Sequence, residues 1–153
     1  MKNMMLQARN FSKIILCALL LLAAGCKDNN EPKTLYGSVV RPAWAVSEDH
    51  DYSSMTAVVK VDLKIQYPEM AADYALNSQD LLAAFAGDKC LGVASPNEGL
   101  FYLMITSTEG SVTLRYYSAQ YKNLFEAEPF TFQTDAMLGT SDHPYSPAFV
   151  LSK

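Results

Sequence analysis

The sequence predicts an all-β protein, an antiparallel β-sandwich of Ig-like or jelly-roll-like type with about seven or eight strands. Three observations carry this. Short runs alternate apolar and polar residues with period two, as half-buried strands do. Turn chemistry recurs between those runs at roughly the 8–12-residue spacing of sandwiches. Beyond the N-terminal region, no stretch reads convincingly as an amphipathic helix.

The elements follow in order. VVRPAWAV (Val39–Val46) reads as a first strand, confined to an edge or a bulge by Pro42, which cannot donate to a ladder. MTAVVKVDLKI (Met55–Ile65) alternates cleanly: Ala57, Val59, Val61, Leu63 and Ile65 face one way, and Thr56, Val58, Lys60, Asp62 and Lys64 the other. LLAAFAGDKCLGVA (Leu81–Ala94) reads as two strands about a Gly87-Asp88 hairpin turn. LFYLMITS (Leu100–Ser107) sets Phe101, Leu103 and Ile105 on one face. After the turn TEGS, VTLRYYSA (Val112–Ala119) sets Val112, Leu114 and Tyr116 against Thr113, Arg115 and Tyr117. KNLFEA (Lys122–Ala127), FTFQT (Phe130–Thr134, with Phe130 and Phe132 inward) and a short apolar end at Ala148–Leu151 complete the set.

The N-terminus is of another kind. Lys2, Arg9 and Lys13 form a basic leader, followed by an unbroken apolar run of 11 residues, Ile14–Ala24. A membrane-spanning helix needs about 18 or more, so the run fits the core of a secretory signal. It ends in Leu22-Ala23-Ala24-Gly25-Cys26, which resembles a bacterial lipobox. That resemblance implies cleavage before Cys26 and attachment of a diacylglyceryl group to its thiol. Two or three acyl chains give stable anchoring where one does not. The predicted organisation is a signal peptide over 1–25, a polar tether over 26–34 and the sandwich over 35–153. Lys27-Asp28-Asn29-Asn30-Glu31 resembles the short acidic signal of Bacteroidetes-type lipoproteins exported to the outer face of the outer membrane. The expected location is therefore the outer membrane, lipid-anchored and surface-exposed, with a periplasm-facing orientation as the alternative.

Removing residues 1–25 takes away three basic and no acidic residues, leaving nine basic against 16 acidic and a net charge of −7. This argues against nucleic acid as a partner, because phosphates demand basic surface. The mature length of 128 residues suffices for one core without disulfide staples. Cys17 leaves with the signal and Cys26 is assigned to lipid, so Cys90 remains alone among apolar neighbours and reads as a buried, inert thiol.

From about Met55 to Pro144 the chain resembles β-sandwich modules of secreted and lipid-anchored Bacteroidetes-type proteins. The matching stretches are DLLAAFAGDKCLGVA (Asp80–Ala94), GLFYLMI (Gly99–Ile105), VTLRYYSA (Val112–Ala119) and FTFQTDAMLGTSDHP (Phe130–Pro144). In such modules an acidic residue precedes an apolar strand, and a turn and G-V-A follow. The resemblance implies a structural framework of accessory, adhesion-type domains, with no reaction attached.

Candidate sites are few. Glu48, Asp49, His50 and Asp51 gather hard oxygen ligands, but they lack the spacing and the Gly of a calcium loop and read as a solvated loop. His50 and His143 do not make a zinc set. No nucleophile elbow or catalytic triad is legible, and Glu98 and Glu109 form a carboxylate pair only if the fold converges them. No cofactor and no metal are expected. Aromatic residues are the most suggestive feature. Alternation turns Tyr102 and Tyr117 away from the inward sets, so these two are the expected ligand-binding platforms, while Trp44 reads as core. The expectation is a non-catalytic protein, held in the membrane through Cys26, that binds a polysaccharide or an envelope protein partner. The alternative is a lipoprotein that scaffolds an envelope complex without a glycan ligand.

Overall fold

The computed structural model describes residues 35–48, 53–107 and 110–152. The expected signal peptide, tether and Cys26 lie outside the described residues, as do Asp49, His50, Asp51 and Glu109.

Ten strands form two facing sheets: β1 (Ser54–Val59), β2 (Leu81–Ala86), β3 (Lys89–Ala94), β4 (Pro96–Asn97), β5 (Leu100–Thr106), β6 (Ser111–Ser118), β7 (Asn123–Ala127), β8 (Phe130–Thr131), β9 (Met137–Leu138) and β10 (Phe149–Leu151). The smaller sheet has the order β4-β5-β1-β9, and the larger β10-β7-β6-β2-β3 with β8 also on β6. Pairing is antiparallel except between β1 and β9. This is the predicted sandwich, with more strands because β4 and β9 are two-residue pieces too short to show a period; the strand expected over Phe130–Thr134 shortens to β8.

The inward rows match the alternation. Ala57 and Val59, Phe101, Leu103 and Ile105, and Val112, Leu114 and Tyr116 all lie in one buried cluster between the sheets. Tyr116 stands at its centre, within ring-stacking range of Phe101, Phe125 and Phe149. Such ring pairs contribute about 0.5–1.5 kcal/mol each beyond area burial. The sheets meet at one edge through β3 and β5. There a Cβ on Gly92 would collide with the Met104 carbonyl oxygen, and Thr106 Oγ1 donates to Leu91 O at 3.2 Å. Only glycine lets the two backbones come this close.

Two expected elements differ. The strand predicted to run to Ile65 ends at Val59. Asp62 accepts from the Lys64 amide at 3.0 Å and caps a single 3₁₀ turn, Leu63–Ile65. The turn keeps Leu63 buried and releases Ile65 to solvent at 52 % exposure. Residues 39–46 form no strand. They belong to an extended strap, Leu35–Glu48, tied to the β6–β7 turn by Gly37 N to Tyr121 O at 2.7 Å and Val39 N to Lys122 O at 2.9 Å, and to β3 by Ser47 N to Cys90 O at 3.1 Å. The strap leaves Arg115, Glu126 and Val150 uncovered and covers the outer face of the larger sheet over β2, β3 and Tyr117. Trp44 meets Phe85 edge-on there, over a second small cluster of Ala83, Phe85 and Cys90.

Candidate functional site

The strap makes the two outer faces unequal, and this decides the fate of the two expected platforms. Tyr117 does point outward from β6, as alternation requires, but it is only 5 % exposed. Its hydroxyl donates to Val39 O on the strap at 3.4 Å. It is a packing residue and offers no platform. Trp44, expected in the core, is instead a half-buried residue of the strap, packed against the satellite cluster.

The smaller sheet has no strap. On its outer face Tyr102 is 41 % exposed, Met104 66 % and Met137 65 %. Register brings them together: Met104 and Met137 both pair with Thr56, and Tyr102 pairs with Val58 one step along β1. Val58 faces the same way but is buried, beside the loop whose Tyr145 amide donates to Val58 O at 2.9 Å. The outward positions of β1, β5 and β9 carry Ser, Thr, Val, Leu, Tyr and Met and no charged side chain. The Tyr102 hydroxyl lies 3.4 Å from Ser141 Oγ. Sequence reasoning found Tyr102 and missed the two methionines. Met104 alternates on the same strand and was legible; Met137 joins only through a two-residue parallel pairing that no periodicity announces.

At the β6–β7 end of the sandwich lies a second polar constellation. Asp80, fully buried ahead of β2, accepts from Tyr116 OH at 2.7 Å, Ala119 N at 2.7 Å and Asn77 N at 2.8 Å. Tyr74 OH is 3.0 Å from Tyr116 OH. Burial pushes the phenols of Tyr74 and Tyr116 well above the ordinary tyrosine range. Nearer the surface, Asp73 accepts from Tyr121 OH and Tyr36 OH, each at 3.1 Å, and from Gln120 Nε2 at 3.3 Å. The Tyr121 and Tyr36 hydroxyls hold the Asp73 carboxyl below the usual carboxylate range. Burial, then the Asp73 carboxylate, pushes Tyr121 up to about 12. Both acids spend their oxygens on the protein's own donors, so this end is a fastening. It joins the strap (through Tyr36), the 72–80 loop and the β6–β7 turn.

Comparison with known protein families, with curated proteins and with solved structures finds no match to this chain. Function must therefore be read from the molecule's own chemistry. Among the described residues no three His, Cys, Asp or Glu side chains are placed to hold a metal ion. No helix among them is long and apolar enough to cross a membrane. Cys90 is buried, with its thiol pushed up by that burial. A shallow hollow of about 200 Å³ lies over Gln66, Tyr67, Pro68, Glu69 and Met70 and brings no pair of carboxylates together.

Proposed function

We propose that the protein is a lipid-anchored, non-catalytic protein of the outer membrane that binds a partner protein through the uncharged outer face of the smaller sheet. The carrying observation is that face itself: Tyr102, Met104 and Met137 stand exposed on one uncharged face, the two methionines on either side of Thr56, while the larger sheet's outer face is covered over β2 and β3 by the strap and carries the Arg115–Glu126 ion pair beyond it. A chain rich in acidic residues that keeps one sheet face free of charge has an apolar docking surface to offer. Thioether side chains adapt to a protein surface, and a tyrosine among them supplies a rigid anchor. Attachment at Cys26 rests on the lipobox, and the outer-membrane location on the residues that follow it.

A carbohydrate ligand is the second reading, supported by the exposed Tyr102 ring and the neighbouring Ser141 hydroxyl. A sugar site needs several directed polar groups beside its ring, and here two flexible methionines occupy the adjoining positions. That favours protein. A role as a scaffold in an envelope complex would use the same face. The test is binding of the acylated chain to a polysaccharide panel and to solubilised envelope proteins, each with Tyr102→Ala and Met104→Glu. Protein binding lost in both variants supports the proposal. Glycan binding lost in Tyr102→Ala alone transfers the reading to carbohydrate.

A further inference from the structure

We infer that the partner is a protein presenting an apolar projection flanked by lysine or arginine side chains; this rests on the docking role just proposed for the Tyr102 face. The surroundings of the face point to such a partner. Glu98 occupies the turn between β4 and β5 at one end. Asp135 is fixed beside the first residue of β1 by its amide, which donates to Ser54 O at 2.8 Å. Asp142 follows Ser141, whose hydroxyl lies near that of Tyr102. All three acids are exposed. Against them, among the described residues of this rim, stand Lys60 at the end of β1 and the imidazole of His143. An uncharged centre inside a mainly acidic rim is complementary to an apolar centre inside a basic one.

The same features disfavour other occupants. A second copy would bring acidic rim against acidic rim. The sheet face, with β5 seven residues long and four strands wide, measures about 23 Å by 14 Å, or roughly 300 Å². Two copies would bury about 600 Å² in all, half of the ~1,200 Å² at which stable interfaces begin. A larger partner can add the rim loops to that area. An anionic lipid surface would meet the acids unfavourably.

The test uses the full chain in lipid nanodiscs with ¹³C-methyl methionine, the signals being assigned by Met104→Leu and Met137→Leu. Two hairpin peptides serve as probes, each with a Leu-Trp-Leu centre, one flanked by lysines and the other by glutamates. The expected result is that the lysine-flanked peptide shifts the Met104 and Met137 signals at concentrations at least five-fold lower than the glutamate-flanked one. The buried Met55 and the remote Met70 should stay fixed. That preference should vanish in the triple variant Glu98→Gln, Asp135→Asn, Asp142→Asn, and shrink in 1 M salt, where screening acts within about 3 Å. If both peptides shift the two signals alike, the basic-partner inference fails and the docking face stands. If neither peptide moves them, the docking face fails with it. Signals that move with protein concentration alone would make a second copy the occupant and overturn the inference.

Discussion

The Tyr116 hydroxyl donates to the Asp80 carboxylate at 2.7 Å, and both residues are completely buried. This bond ties the ring at the centre of the core to the residue that launches β2. Asp80→Ala would leave Tyr116 OH, Ala119 N and Asn77 N without their acceptor. Each stranded donor costs about 1–3 kcal/mol. We predict a loss of at least about 3 kcal/mol for Asp80→Ala and a smaller one for Tyr116→Phe, read from urea unfolding. A loss below about 1 kcal/mol for Asp80→Ala would contradict the assignment.

The strap gives a second prediction. Trp44→Ala removes the ring that packs on Phe85 over Cys90. Cys90 is the one cysteine of residues 27–153, so alkylation of that segment reports on it alone. It should react slowly in the wild type and at least ten-fold faster in Trp44→Ala, with a stability loss of about 2 kcal/mol, below the range for a wholly buried tryptophan. Equal rates would mean that the strap does not shield the sheet.

The corner between the sheets gives a third. Gly92→Val places a branched side chain where the Met104 backbone carbonyl lies. Backbone cannot yield as a side-chain tip can, so β3 must leave β5. The expected result is loss of cooperative unfolding or a destabilisation of more than about 2 kcal/mol, measured by thermal denaturation against a Val93→Ala control.

The fastening at Asp73 predicts pH dependence at both ends of the scale. Its carboxyl is lowered in the folded protein by the Tyr121 and Tyr36 hydroxyls. That contribution is therefore present above the ordinary carboxylate range and fades as the pH falls through the folded value. The stability gap between wild type and Asp73→Asn should close in acid. Tyr121 is shifted the other way, from 10.0 to about 12. Its contribution is complete below pH 10 and is lost as the pH rises toward 12. A wild type that holds its stability across that alkaline window, against a Tyr121→Phe variant, would contradict this.

Much of the fold was legible because period-two rows such as Phe101, Leu103 and Ile105 have one physical explanation. The reading went astray where burial came from something other than the facing sheet. Tyr117 was rightly placed on the outer face, but the strap that covers it looked like a strand in sequence, since extended backbone carries the same residues whether or not it joins a ladder. Residues 55–65 kept their inward rhythm past the true end of β1 because a 3₁₀ turn also buried Leu63. The candidate face was half visible. Tyr102 and Met104 share one strand, whereas Met137 arrives through a long-range contact that a single sequence does not encode locally. The acidic residue before the apolar strand, part of the motif in Asp80–Ala94, proved to be a buried acceptor for a tyrosine on the neighbouring strand, β6.

Mass spectrometry of the N-terminus bears on the anchor: the mature chain should begin at Cys26 with a diacylglyceryl thioether. An unmodified Cys26, or cleavage elsewhere, would remove the membrane from this account.

The most direct test of the central claim is recovery of the protein's complex from detergent-solubilised membranes after cross-linking in the cell. Wild type, Met104→Glu and Val40→Glu would be compared, Val40 being exposed on the strap away from the candidate face. We predict a defined complex with wild type and with Val40→Glu, and its loss with Met104→Glu. A complex that survives Met104→Glu, or that fails with Val40→Glu instead, would contradict that claim.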